Sequence, residues 1–295
     1  MASKFETTID FKNPLWNRDT WARIQGDVNP ENERFGYAAG DVLGIKPGEA
    51  AKPLCGYEVF LSTRLIPQDD GNYRRLNKEV IFYTDLNPDP GSRRMIDSWK
   101  NPWTGEEVEV VHVANDPFNY TISDKLILAP EDFPTDGSAP KPRVFPLLFP
   151  WRRVGDKLLL ATDMHLYYPN SLQPDKWPRE SSGKMAQVSE MMRYWIDAAD
   201  VENPDMTSIP YYGSWSRITP WLPWMLMGQD PGHCVYIGPM SGGDSNSKEH
   251  IPQFVQDFSN ERYPGMLSAP TEDYGPSISS LEHYAKNQSP APAKD

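Results

Sequence analysis

The chain predicts a mainly β protein, an antiparallel calycin- or lipocalin-like β-barrel with long loops and one or two helices. Three observations carry this expectation. Thirty prolines and twenty glycines among 295 residues cut the chain into many short pieces. β-Branched and aromatic runs recur between those turn residues. Short turns join consecutive runs, which favours an antiparallel meander, and six or more such strands hide their edges best by closing into a barrel.

The elements follow in order. Residues 1–50 are polar and proline-spaced, with a short helix expected around 17–25. Tyr57–Leu65 and Tyr73–Thr84 predict two strands across the turn at 67–71. Arg93–Lys100 and Glu106–Ala114 predict a hairpin around Asn101-Pro-Trp-Thr-Gly105. Val144–Arg153 and Lys157–Tyr168 predict another, with Val154-Gly-Asp156 at its turn. Gln187–Ala199 is ambiguous: Val188, Met191, Met192, Trp195 and Ile196 fit helical spacing, while a strand also fits. Ile209–Arg217 and His233–Gly238 read as late strands. Ile251–Arg262 reads as an amphipathic helix, with Phe254, Val255 and Phe258 on one face. From Asn287 the composition is that of a disordered end. One barrel domain with an N-terminal extension is therefore expected over 1–286, and a disordered tail over 287–295.

Composition narrows the function. Hydrophobic residues are 38% and aromatic residues 12%, so large rings carry the apolar payload. A formal charge of −12 disfavours nucleic acid and anionic membrane surfaces as partners. Cys55 and Cys234 define neither a disulfide framework nor a metal spacing. The N-terminus lacks the apolar core of a signal peptide, and no window approaches the ~20 apolar residues of a membrane span. A cytoplasmic protein is expected. No GxGxxG, P-loop, HExxH or GxSxG pattern is present, so neither a cofactor nor a metal is expected. His112, His165, His233, His250 and His283 are scattered, and only the fold can gather them into a metal site.

Residues Trp215–Gly228 stand out. They hold Trp215, Trp221 and Trp224, Met225 and Met227, Pro220 and Pro223, and Arg217. The run is too aromatic for a solvent loop and too rich in proline for a regular helix or strand. It is expected to form one wall of an apolar cavity with a single fixed charge.

Strand alternation supplies partners for that wall. In Tyr73–Thr84 one face carries Tyr73, Arg75, Asn77, Glu79, Ile81 and Tyr83, which suits a polar lumen with an aromatic floor. In Glu107–Val113, His112 shares the inward face with Val108 and Val110. In Lys157–Tyr168 one face holds Asp163, His165 and Tyr167, and the other holds Leu158, Leu160, Thr162, Met164 and Leu166. Period two leaves open which of these faces the lumen. A catalytic set follows: Asp163 beside His165, raising its basicity; Glu79, with its pKa lifted in an apolar lumen; and Arg217, fixing an anionic or carbonyl oxygen. Tyr83, Trp103, His112, Tyr211, Trp215, Trp221, Trp224 and Met225 are the candidates for clasping a ring-containing ligand. Each has a plainer alternative. His112 suits a hydrogen-bonded core, Asp163 and His165 an exposed pair, and Glu79 with Arg75 an ordinary ion pair. Arg217 suits a cation–π stack, and the Trp/Met run suits a core.

The segment Trp99-Lys-Asn-Pro-Trp-Thr-Gly-Glu-Glu-Val-Glu-Val-Val-His-Val-Ala-Asn-Asp-Pro117 resembles a signature of the uncharacterised bacterial and fungal family DUF 1838, a domain of unknown function. Gly213–Gly228 resembles its second signature, and the similarity spans about residues 15–270. The resemblance places Asn101, Trp103, His112, Trp215, Arg217 and Trp224 in shared motifs without separating packing from catalysis. By analogy it suits a fungal protein acting on a secondary metabolite. Two functions are expected in turn. The first is a cofactor-independent isomerase, cyclase or lyase acting on an apolar polyketide- or terpenoid-like molecule. The alternative is a non-catalytic binding protein for the same kind of small hydrophobic ligand. A weaker third reading, a structural or interaction protein, leaves the Trp/Met run exposed. A homodimer remains open.

Overall fold

The computed structural model describes residues 5–87, 89, 92–128 and 143–292. Its centre is one antiparallel sheet. Three long strands open it: β1 (Arg34–Ile45), β2 (Lys52–Pro67) and β3 (Tyr73–Thr84). Short pieces follow: β4 (Ser98–Lys100) pairs with β5 (Glu107–Glu109), while β6 (Val113–Asn115) and β7 (Tyr120–Ile122) both pair with β3. A separate ribbon joins β8 (Lys125–Leu128) to β9 (Arg143–Pro146). The sheet resumes with β10 (Trp151–Val154), β11 (Lys157–Pro169), β12 (Met185–Asp197), β13 (Tyr211–Thr219) and β14 (His233–Gly242). Its order is β10-β11-β12-β13-β14-β1-β2-β3-β6.

Two features curl this sheet. Glu79 on β3 and Glu190 on β12 lie close enough to repel each other, although five strand spacings separate them, about 24 Å in a flat sheet. The second feature lies where β14 meets β1. There the ladder is interrupted between Ala38 and Asp41. A Cβ on Gly40 would lie 2.1 Å from the Ile237 carbonyl oxygen, so only glycine permits the approach.

The antiparallel meander is as expected, but no ladder joins the β11 side of the path to β6 or β7. The sequence signals turn chemistry and alternation; it carries no mark of whether the last edges meet. Other differences are local. β1 falls in a stretch with no expected strand, because Gly36, Gly40 and Gly44 interrupt its apolar pattern. Gln187–Ala199 resolves as strand through Asp197. The stretch 144–153 splits into β9 and β10, and β9 pairs with β8 instead of β11. The Trp215–Gly228 run begins as regular strand and turns irregular only after Thr219, with a 3-10 turn at Pro223–Met225 and Leu226 left-handed at φ 54°.

Four α-helices complete the fold among the described residues. In α1 (Pro14–Gln25) the Asn13 side chain caps Leu15 N–H, and Pro14 occupies the first turn. Asn17 Oδ1 accepts from Phe149 N–H and Trp151 Nε1–H, and Trp16 packs edge-on against Trp151, fixing α1 to the sheet. The short α2 (Ala198–Glu202) continues from β12. α3 (Gln253–Arg262) packs with Phe35, Phe60 and Phe82 in a core on the outer face of the sheet. α4 (Ser280–Asn287) has no buried residue. In the expected tail, Ala291 N–H donates to Glu180 and Arg179 donates to the Pro292 carbonyl; residues 293–295 lie outside the described residues. Among the described residues no helix is long and apolar enough to cross a membrane.

Candidate functional site

The concave face of the sheet encloses a cavity of about 640 Å³. β3 contributes Arg75, Glu79 and Tyr83; β12 contributes Glu190 and Met192; β13 contributes Trp215 and Arg217; β14 contributes Tyr236. Trp21 and Gln25 of α1 border it, as do Leu281 and Tyr284 of α4, and Thr162, Met164 and Leu166 of β11.

At the end formed by Trp221–Met227, the two segments that carry the sequence signatures meet. Asn101 Oδ1 accepts from the backbone N–H groups of Trp103 and Thr104, and its Nδ2 donates to the Met225 carbonyl. Trp99 packs edge-on against Trp224 at 5.5 Å, and Trp103 against Trp221 at 5.1 Å. This plug is built of indole rings around one buried amide, Asn101.

The charged centre lies on the strands. Arg217 Nη1 stands 3.5 Å from Glu190 Oε1, and Glu190 Oε2 accepts from Trp215 Nε1–H at 3.3 Å. Burial alone would lower the Arg217 pKa. Glu190, then Tyr236, Glu79 and Tyr83 outweigh that and hold it above its ordinary value. Tyr83 and Tyr236 share a hydroxyl–hydroxyl hydrogen bond of 3.0 Å.

Glu79 is half-buried, and the surface it keeps faces the cavity. Burial lifts its carboxyl, Glu190 lifts it further, and Arg217 and Arg75 oppose; the result is about 7. Among the described residues it forms no hydrogen bond and no ion pair. A carboxyl group balanced near neutrality and free of protein partners can give or take a proton.

Of the twelve residues singled out from sequence, Glu79, Arg217, Tyr83, His112, Tyr211, Trp215, Trp221 and Trp224 border this cavity. Arg217 stacks on no ring; it pairs with Glu190. Glu79 and Arg75 form no ion pair, although they share a strand face. His112 is a packed core residue at the cavity edge. Its Nδ1 accepts from Tyr83 N–H at 3.0 Å, and its ring lies against Phe82 and Phe258. Burial lowers its pKa to about 4, so the ring is neutral.

Asp163 also borders the cavity, and three residues stand elsewhere. The chain at Asp163 passes the cavity, but alternation turns its carboxylate to the outer face, where Arg193 binds it. His165 is exposed and bonds to Ser189 Oγ at 3.0 Å. Both belong to the face opposite Thr162, Met164 and Leu166; His165 adds to Arg193 in holding the Asp163 carboxyl below its ordinary range, but among the described residues no hydrogen bond joins the two. Trp103 forms the outer side of the plug, away from the cavity, donating to Glu49 and covered by Lys52. Met225 is fully buried against Cys234 Sγ. Cys55 and Cys234 are buried and unbridged.

Glu190 is the residue that sequence reasoning missed. The signal was present. In strand register, Val188, Glu190, Met192, Tyr194 and Ile196 form one inward face with a single charge, whereas helical spacing scatters them. Among the described residues no group of three His, Cys, Asp or Glu side chains is placed to hold a metal ion.

No curated protein matches the chain. The family model described as "Protein of unknown function (DUF1838)" matches residues 31–288. That span runs from just before β1 to just past α4. It includes every strand of the sheet, both halves of the plug, and Arg75, Glu79, Glu190 and Arg217; only α1 of the cavity lies outside it. The chain therefore belongs to the DUF1838 family.

Proposed function

We propose that the protein is a cofactor-independent enzyme that moves a proton on an apolar, oxygen-bearing molecule held in the cavity, as an isomerase, cyclase or lyase of polyketide- or terpenoid-like compounds. The observation that carries this reading is Glu79: a cavity-facing carboxyl near neutrality, without protein partners, beside the Arg217–Glu190 pair. Glu79 removes a proton from carbon next to a carbonyl. Arg217, held protonated by Glu190, polarises the oxygen on which charge develops. The aromatic walls of Tyr83, Tyr211, Trp215 and Trp224 bury the hydrocarbon body. The same reading takes the curled sheet as a calycin-like barrel whose seam is spanned by α4 instead of a ladder.

A second reading, a binding protein for such molecules, draws support from Asp163 and His165. Their outward placement halves the acid–base equipment expected from sequence. Deuterium exchange separates the two. The protein is incubated in D2O with α-tetralone, a neutral fused-ring ketone, and NMR follows loss of the protons next to the carbonyl. Exchange above the buffer rate that Glu79→Gln abolishes supports catalysis. Saturable binding of tetralone with exchange at the buffer rate supports the binding protein and overturns the enzymatic reading.

A further inference from the structure

Among the described residues three arginines are buried, and a fourth, Arg217, lines the cavity; three of these four are matched to acceptors. Arg23 donates to the carbonyls of Val201, Asn203 and Met206. Arg34 donates to those of Arg23 and Ile209. Arg217 faces Glu190. Arg75 differs. It is 2% exposed, yet its one hydrogen bond among the described residues runs from Nη2 to Thr63 Oγ1 at 3.2 Å. Thr63 in turn donates to Asn77. Arg75 Nε is buried without a partner, as are Arg23 Nε and Arg217 Nε; what sets Arg75 apart is the lack, among the described residues, of carbonyl or carboxylate acceptors for its remaining donors. The guanidinium lies over the Tyr120 ring at 5.0 Å, and among the described residues no carboxylate reaches ion-pairing distance.

A guanidinium has five donors, and burying it without an anion is costly. The surroundings show where an anion fits. Arg75 borders both the main cavity and a void of about 10 Å³ shared with Gln25, Thr63 and Tyr211, about the size that admits one water. The phenols nearest it, Tyr120, Tyr194 and Tyr211, are neutral. Tyr120 already donates to Gln25. Glu79 lies four residues along the same strand face, about 13 Å away between Cα atoms.

We propose that Arg75 is an anion subsite. The molecule that fills the cavity carries a carboxylate at the α1 end, and its apolar body runs past Glu79 toward the tryptophan plug. The inference rests on the cavity being a ligand site, whether catalytic or not, and gives the substrate class as amphipathic carboxylic acids. The carboxylate accepts two parallel N–H bonds from the guanidinium. The spacing of Arg75 and Glu79 then fixes which part of the molecule meets the proton-transfer group.

The test is calorimetric titration of the full-length protein with 2-naphthoate and 2-naphthamide, which share rings and carbonyl and differ in charge. Naphthoate is expected to bind at least tenfold more tightly. Arg75→Met is expected to erase that preference and leave naphthamide within twofold, while Arg75→Lys retains part of it. Equal affinity of wild type for the two probes overturns the subsite and leaves the ligand cavity standing. Equal weakening of both by Arg75→Met also overturns it, since that marks a structural role. Failure of both probes to bind overturns the cavity reading as well. If Arg75→Met does not fold, the acid-against-amide comparison in wild type and in Arg75→Lys decides.

Discussion

Replacing Glu79 with glutamine removes the charge and keeps the shape, so its effect on stability reports how strongly the fold opposes that charge. The folded carboxyl titrates near 7 instead of its ordinary 4.5. That displacement corresponds to about 3 kcal/mol against the ionised form. Part of the group meets cavity solvent, so about 3 kcal/mol is a ceiling. The sign follows from proton counting. Between pH 4.5 and 7 the folded state holds a proton that the unfolded chain has released, so wild-type stability falls as pH rises through this window. Below it the acid is neutral in both states and costs nothing. Above it the full penalty applies. Glu58, buried on the outer face against Tyr37 and also lifted to about 7, adds a slope of the same sign, so the wild-type profile alone does not isolate Glu79. The difference between wild type and Glu79→Gln does. Urea unfolding across pH 4 to 8.5 is expected to give nearly equal stabilities at the acid end. At the basic end the variant is expected to be more stable by up to about 3 kcal/mol, with a matching rise in Tm of about 2–4 °C per kcal/mol. Parallel curves with no pH-dependent gap would refute the placement of Glu79 in a desolvating cavity.

Three further outcomes follow from the same geometry. Arg217→Met leaves Glu190 and Glu79 facing each other without their shared cation, and is expected to cost about 3 kcal/mol; adding Glu190→Gln should recover more than half of that loss in urea unfolding. Asn101→Ala removes the acceptor for two backbone N–H groups and the donor to Met225, and is expected to cost about 2–3 kcal/mol and to red-shift tryptophan emission as the plug loosens. Asp163→Asn and His165→Ala act on the outer face and are expected to change stability by less than about 0.5 kcal/mol while leaving naphthamide affinity within twofold; a tenfold loss would place these residues in the site after all.

Where a face of the site was legible, one property made it so: a strand long enough to show alternation. β3 carries six inward residues in unbroken period two, so Arg75, Glu79 and Tyr83 could be placed together before any coordinates. Trp215 and Arg217 stood out by composition instead, in a run rich in tryptophan with one arginine, and β11 gave two candidate faces without choosing between them. The choice needed burial: Leu158 and Leu160 are solvent-free, and that fixes Thr162, Met164 and Leu166 inward and Asp163 and His165 outward. β12 was obscured because Met191, Met192 and Trp195 satisfy a helical period as well as a strand one. β1 was obscured for the opposite reason. Its glycines serve close approach to β14, and glycine carries no side chain to show a face.

The two sequence signatures misdirect in an instructive way. They are the most distinctive segments of the chain, and a catalytic role is the natural first reading of aromatic residues beside an arginine. In the structure they explain each other: Asn101 binds the Met225 carbonyl, Trp99 meets Trp224, and Trp103 meets Trp221. Such mutual packing demands particular residues at particular positions whether or not any chemistry occurs nearby. In the second segment Arg217 and the Trp215 indole N–H join the charged centre, both through Glu190 on a strand that neither signature includes. The charged groups that face the cavity are therefore spread over three strands, Arg75 and Glu79 on β3, Glu190 on β12 and Arg217 on β13. A search for function in this chain is better directed at these four than at the tryptophans of the plug, which pack one end of the cavity that the four border.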